Sequence, residues 1–182
     1  IPKPTDELTR AAREIMDQLR SRNISVEYDN DDKSRVGFKF AEHELRGIPV
    51  RIGLGMRDLN QNQVEVARRD TKEKFFVPLD TLAETIENLL EEIQDNLYQK
   101  ALDFRVQHTT YVDTMEEFES VIETRGGFVY AHWDGSKETE EEIKNRTKAT
   151  IRCIPLDAPE EKGVDLISGK PSNRRVVFAK AY

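Results

Sequence analysis

Histidine and cysteine are the side chains best suited to nucleophilic, acid–base or metal chemistry, and here they stand far apart as His43, His108, His132 and Cys153. A catalytic thiol or hydroxyl needs a base within hydrogen-bond reach, and no spacing in this chain pairs a histidine with one. A single cysteine can neither close an internal disulfide nor hold a structural zinc by itself. No catalytic residue is assigned; His43, between Glu42 and Glu44, reads as structural, and Cys153 as a buried core residue. The chemistry the chain does offer is anion binding. Residues 33–74 carry ten Lys and Arg against six Asp and Glu, a local +4 in a chain of net charge −7. Phosphates are bound by Lys and Arg displacing counterions, so an anionic partner is expected to dock there. Arg68 and Arg69 are adjacent in an expected strand, so only one of them can face a given ligand; phosphate contact and plain solvation both stay open. Phe38 and Phe40 flank Lys39 and read as core packing in preference to a stacking platform.

The elements that must position these residues follow from hydrophobic periodicity. Leu8, Ala11, Ala12, Ile15, Met16 and Leu19 recur at helical spacing over residues 5–22, with Thr5 or Asp6 as N-cap and Asn23 as C-cap. Ile24 to Tyr28 alternates like a half-buried strand, followed by a polar loop at Asp29 to Ser34. A short helix is expected at Phe38 to Leu45, ended by Gly47, then strands at Pro49 to Leu54, Gln63 to Arg69 and Phe75 to Val77, with a turn through Asp58 to Asn62. After Pro78 comes the longest helical stripe, Leu82, Ile86, Leu89, Leu90, Ile93 and Leu97, with Thr81 and Glu84 as a capping box. Thr114 and Glu117 repeat that box before a helix to about Thr124. Strands at Phe128 to Trp133, Ala149 to Ile154 and Arg174 to Ala179, a charged helix at Lys137 to Lys148, and an irregular stretch from Asp157 to Asn173 complete the second half. The alternation implies an α/β fold.

The 182 residues, 63 of them charged and 37% hydrophobic, exclude a disordered tail. No run approaches the ~18 apolar residues of a membrane span, and no secretory signal is legible in residues 1–20. A reducing, cytoplasmic setting is expected. The opening Ile1-Pro2-Lys3-Pro4 lacks an initiator Met, so the chain reads as part of a longer or processed protein.

The run Gly37 to Ile52 (GFKFAEHELRGIPVRI), with Gly55-Met56-Arg57-Asp58-Leu59 and Val66-Ala67-Arg68-Arg69-Asp70-Thr71, resembles the anticodon-binding domain of class II aminoacyl-tRNA synthetases, and more narrowly that of prolyl-tRNA synthetases. Cys153-Ile154-Pro155 and the terminal Phe178 to Tyr182 resemble the extra C-terminal domain of the archaeal and eukaryotic type. The resemblance implies an anticodon-binding domain, a mixed sheet flanked by helices, over residues 1–105, then a small α/β C-terminal domain over 106–182. It further implies the tRNA-holding part of a proline–tRNA ligase. The catalytic core would lie upstream, so this part alone is not expected to aminoacylate. Its partners would be tRNA(Pro) and that core, in a homodimer, with ATP and magnesium needed only by the complete enzyme and no cofactor here. The competing reading is a protein-interaction module that kept the fold and uses the acidic residues 79–182, net −8.

Sequence-specific RNA recognition targets unstacked loop bases on their edges, and proline anticodons share two adjacent guanines. A guanine edge offers two N–H donors beside a carbonyl, matching a carboxylate and a guanidinium. The resemblance nominates Glu44 and Arg51 for these roles, with Lys72 or Lys74 and Arg68 as further contacts; on bare sequence the first two read as a surface ion pair. His43 stands where many relatives carry Trp. Many also carry four cysteines in the C-terminal domain, at positions that read here Asp134, Thr139, Asp165 and Ser168. These hard oxygen donors replace thiolates poorly, so a degenerate site without zinc is expected, held instead by a core including Phe128, Tyr130, Trp133, Ile151 and Val176 to Phe178. The resemblance also gives the C-terminal carboxylate of Tyr182 a place folded back toward the catalytic core.

Overall fold

A computed structural model describes residues 5–31 and 33–181. The expectation for Tyr182 lies outside the described residues. The chain divides into two compact units, up to Gln99 and from Lys100 onward.

In the first unit, α1 (Asp6–Ser21) begins at Thr5, whose hydroxyl accepts the Leu8 N–H at 3.2 Å. It ends where Asn23 takes a left-handed φ of 60°. Helix α2 (Val36–Leu45) and the short α3 (Met56–Asn60) accompany strands β1 (Val50–Gly53), β2 (Gln63–Arg68) and β3 (Lys74–Pro78). A 3-10 turn at Leu79–Thr81 then leads into α4 (Leu82–Gln107). Thr81 Oγ1 donates back to the Pro78 carbonyl at 3.4 Å, a turn contact where a capping box was expected. The strands run in the order β1-β2-β3, antiparallel throughout.

Register decides what each face does. Val64 and Val66 of β2 and Val77 of β3 point to one side and bury against Ile15 and Leu19 of α1 and Leu82, Ile86, Leu89 and Ile93 of α4. Truncating one of these, Ile86→Ala for instance, costs roughly 2–5 kcal/mol. The opposite side carries Arg51, Gly53, Gln63, Glu65, Ala67, Lys74 and Phe76, since directly paired residues share a face. The strand expected at Ile24 to Tyr28 does not form: Ile24 and Val26 pack on the core as alternation required, but no strand pairs with them among the described residues.

The second unit is built on the sheet β4-β5-β9-β6, made of β4 (Thr109–Tyr111), β5 (Phe128–His132), β6 (Ala149–Cys153) and β9 (Arg175–Lys180). Strands β4 and β5 pair in parallel across α5 (Met115–Thr124), and the other pairings are antiparallel. The Thr114–Glu117 capping box opens α5 as its sequence required. Helix α6 (Lys137–Thr147) packs with α5 over Val129, Ala131, Val176 and Phe178. A small hairpin, β7 (Gly163–Val164) with β8 (Pro171–Ser172), lies inside the stretch read as irregular. Gly127 (φ 84°) must be glycine, because a Cβ there would lie 2.3 Å from the His108 carbonyl oxygen.

Two core assignments of the second unit are corrected. Phe128 is 40% exposed, at the edge of the open side of β5, and Cys153 is exposed at the end of β6, where the register slips by a bulge. No helix of the described residues is long and apolar enough to cross a membrane.

Candidate nucleic-acid interface

The carboxylate of Glu44 sits on the last turn of α2, which Gly47 (φ 79°) closes before the chain turns into β1. That reversal brings the helix end beside the β2–β3 turn. Arg69 donates its backbone N–H to the Pro49 carbonyl and its side-chain Nε–H to the Glu44 carbonyl, both at 2.9 Å. Lys72 at the turn's apex takes a left-handed φ of 68°, and its ammonium donates to Glu44 Oε2 at 2.9 Å. The Lys72 hydrogen bond, aided by the charges of Arg51 and Arg69, holds the Glu44 carboxyl below its usual range. Glu44 is thus an exposed, ionised acceptor among three cations.

Arg51 points outward from β1 with its guanidinium carbon over the Phe40 ring, 3.4 Å from the centroid; Lys74 approaches the same ring at 5.9 Å. Glu65 lies 3.8 Å from Arg51 Nη1 and 3.9 Å from Lys74 Nζ, near enough for attraction and too far for a hydrogen bond. Arg51 Nη1 is therefore a buried donor without a hydrogen-bond partner. A buried unsatisfied donor costs roughly 1–3 kcal/mol, which an arriving acceptor would recover. Phe40, read as core packing, is the surface against which Arg51 lies. Phe38 was read the same way, yet it is 62% exposed, because α2 turns it away from the core.

Arg68 is engaged elsewhere. Its parity places it on the helix-facing side of β2, where Nε and Nη2 bind both oxygens of Asp70 at 2.8 and 2.7 Å. Asn96 of α4 donates to the same carboxylate, and Glu92 lies 3.6 Å from Arg68 Nη1. Alternation foretold that Arg68 and Arg69 would part company; it is Arg69 that turns to Glu44. The sequence signal for this was the even spacing from buried Val64 and Val66 to Arg68.

The histidines have separate partners: His43 Nε2 contacts Asp29 Oδ2 at 2.9 Å, His108 Nδ1 the Phe104 carbonyl at 2.7 Å, and His132 Nδ1 the Ser172 hydroxyl at 3.2 Å.

Asp134, Thr139, Asp165 and Ser168, dispersed in sequence, converge. The Thr139 hydroxyl donates to Asp134 Oδ1 at 2.9 Å. The Ser168 hydroxyl lies 2.9 Å from Asp134 Oδ2 and 3.0 Å from Asp165 Oδ1. Asp165 also accepts backbone N–H groups of Asp134, Ile167 and Ser168. Burial opposes ionisation of Asp134, but hydrogen bonds from Ser136, Ser168 and Thr139 outweigh it and hold the carboxyl well below its usual range. This all-oxygen set, its hydroxyls turned to its own carboxylates, does not fit zinc, and no group of three His, Cys, Asp or Glu among the described residues is placed to hold a metal.

Residues 1–89 match the model of the anticodon binding domain, and residues 115–182 that of the prolyl-tRNA synthetase C-terminal domain. Residues 1–89 thus belong to the anticodon-binding domain family and residues 115–182 to the prolyl-tRNA synthetase C-terminal domain family. Relatives named proline–tRNA ligase match along almost its whole length. Those of Porphyromonas gingivalis (53% identical over 176 residues), Cytophaga hutchinsonii (50% over 177) and Flavobacterium johnsoniae (51% over 176) each cover 97% of the chain. The chain spans about a third (36%) of each of these relatives. They are bacterial prolyl-tRNA synthetases, so the archaeal and eukaryotic attribution is not borne out. The basic α2–β3 surface lies within the anticodon-binding match.

Proposed function

We propose that this chain holds tRNA(Pro) by its anticodon for a proline–tRNA ligase whose ATP- and magnesium-dependent chemistry is done by an upstream catalytic domain. The complete enzyme is read as a cytoplasmic homodimer, with residues 1–105 as the decoding domain and 106–182 as the C-terminal domain. Glu44 accepts the two N–H donors of an anticodon guanine and Arg51 donates to its carbonyl oxygen, while Lys72, Lys74 and Arg69 meet the backbone phosphates. Arg68 serves this surface by anchoring it. The observation that carries the reading is the unpartnered Nη1 of Arg51, beside an ionised Glu44 in a cationic surround. The Asp134–Thr139–Asp165–Ser168 cluster acts as a hydrogen-bonded clasp that fastens the loops of the C-terminal domain.

The test is titration of the chain with tRNA(Pro) and with the same tRNA carrying altered anticodon guanines. Glu44→Gln is expected to erase the difference between the two RNAs. Lys72→Ala and Lys74→Ala should weaken both alike and reduce the salt slope by about 1 each. Equal affinity of the unaltered chain for the two RNAs would overturn the reading in favour of an interaction module.

A further inference from the structure

The open side of the first sheet holds a large aromatic residue that no role above uses. Phe76, in the middle of β3, is 56% exposed. Its register partner Glu65 is followed across the sheet by Gly53, and the neighbouring row is Lys74, Ala67 and Arg51. Gly53 and Ala67 leave the sheet surface low between Phe76 at one corner and Arg51, backed by Phe40, at the other. From strand spacing and rise, these corners lie roughly 12 Å apart. Lys74 stands next to Phe76 along β3 on the same side, and the Glu65 carboxylate lies between two cations, at 3.8 Å from Arg51 and 3.9 Å from Lys74.

We propose that Phe76 is a stacking platform for an unpaired base of the anticodon loop, a neighbour of the guanine assigned to Glu44 and Arg51. The inference rests on that anticodon reading and extends it to a second nucleotide. Three features of the surface commit it to RNA. It is continuous with the Glu44–Arg51 group. Lys74, two residues along the same strand and side, sets beside its aromatic ring a cation that a phosphate backbone can meet. The shallow floor admits a flat ring lying across the strands. Unstacked loop bases are commonly held on aromatic side chains, and such contacts tolerate any base because every base has a π face. Phe76 therefore adds affinity and positions the loop, while guanine discrimination stays with Glu44 and Arg51.

The experiment uses the chain and a proline anticodon stem-loop RNA, with 2-aminopurine placed in turn at each loop position flanking the two guanines. Binding to the unaltered chain is expected to quench the probe at one flanking position. Phe76→Ala should abolish that quench and weaken binding roughly five- to a hundred-fold, with the affinity ratio between guanine-bearing and guanine-altered loops unchanged. Phe76→Leu should behave like Ala and Phe76→Trp like the parent, which separates stacking from apolar contact. Melting temperatures confirm that the variants fold, as expected for an exposed position. Guanine discrimination by the unaltered chain together with a Phe76→Ala variant that binds within twofold and still quenches the probe overturns this inference alone. Loss of affinity shared by Ala, Leu and Trp variants also overturns it. Failure of the unaltered chain to discriminate guanines overturns the anticodon reading and this inference with it.

Discussion

The guanidinium of Arg51 lies over the ring of Phe40 at 3.4 Å, and one of its terminal nitrogens is buried without a hydrogen-bond partner. The ring supports the cation without consuming its donors, so the buried nitrogen has no hydrogen bond to give up when a ligand's acceptor reaches the planar fork. Arg51→Lys is expected to lose most guanine discrimination, because an ammonium keeps the charge and loses the plane. Phe40→Leu should cost less, about 0.5–2 kcal/mol of RNA affinity, by loosening the arginine. Fluorescence-anisotropy titrations of both variants check this; an Arg51→Lys variant that discriminates as well as the parent contradicts it.

Arg68 and Asp70 predict the opposite pattern, a stability defect without a specificity defect. Their two-point pair is the main reason the Asp70 carboxyl is held well below its usual range. Asp70 is 1% and Arg68 13% exposed at the side chain. Removing one partner strands the other's charge, which costs about 3–5 kcal/mol in a fully enclosed pair. The partial exposure of Arg68 lowers the expectation to roughly 2–3 kcal/mol for Asp70→Ala or Arg68→Ala, read by urea denaturation. Under conditions where the protein is folded, Arg68→Met should discriminate anticodons as the parent does. A selective loss would place Arg68 in direct contact with the RNA.

Acid sensitivity of the first unit should include a contribution from Asp29. Burial pushes its pKa up, but hydrogen bonds from Lys39, His43 and the Asp31 N–H prevail and bring it to about 2, from 3.8. A carboxyl depressed on folding stabilises the native state above its unfolded pKa, and that stability is lost as pH falls. The loss therefore falls between pH 3.8 and about 2. It amounts to roughly 1–2 kcal/mol once partial solvent screening is allowed for. Asp29→Asn should be less stable than the parent at pH 6, with the gap closing toward pH 2. A gap constant with pH, followed by circular dichroism during denaturation, would rule this out.

The oxygen cluster of the second unit makes a prediction about metals. Its carboxylates are already satisfied by hydroxyl and backbone donors. Neither chelator nor added zinc should therefore shift the melting temperature. Ser168→Ala should lower stability by about 1 kcal/mol, because that hydroxyl reaches both Asp134 and Asp165. A rise in melting temperature with stoichiometric zinc would show that thiolates are dispensable for this site.

Much of this organisation was legible where local rules act alone. The Thr5 and Thr114 caps, the glycine stop after α2 and the core stripe of α4 are set by neighbours three or four residues away. What depends on partners distant in sequence was not legible. Ile24 to Tyr28 has the alternation of a strand, but a strand exists only when another pairs with it. Cys153 lost its expected burial to a bulge, which no composition announces. Arg68 and Arg69 were correctly expected to diverge, yet which of them faced Glu44 depended on the parity of β2 relative to the core. Phe38 and Phe76 carry the helix and strand propensities of core residues, and only the packing shows that both are exposed.

The Asp70 anchor has a thermodynamic consequence. A surface turn that fastens its own base to α4 through Arg68 and Asn96 has little conformational freedom left to surrender. Lys72 is thus presented at a set height above Glu44 before any partner arrives. Association then forfeits little ordering entropy, so an RNA loop meets a surface already shaped, and most of the rearrangement falls on the loop.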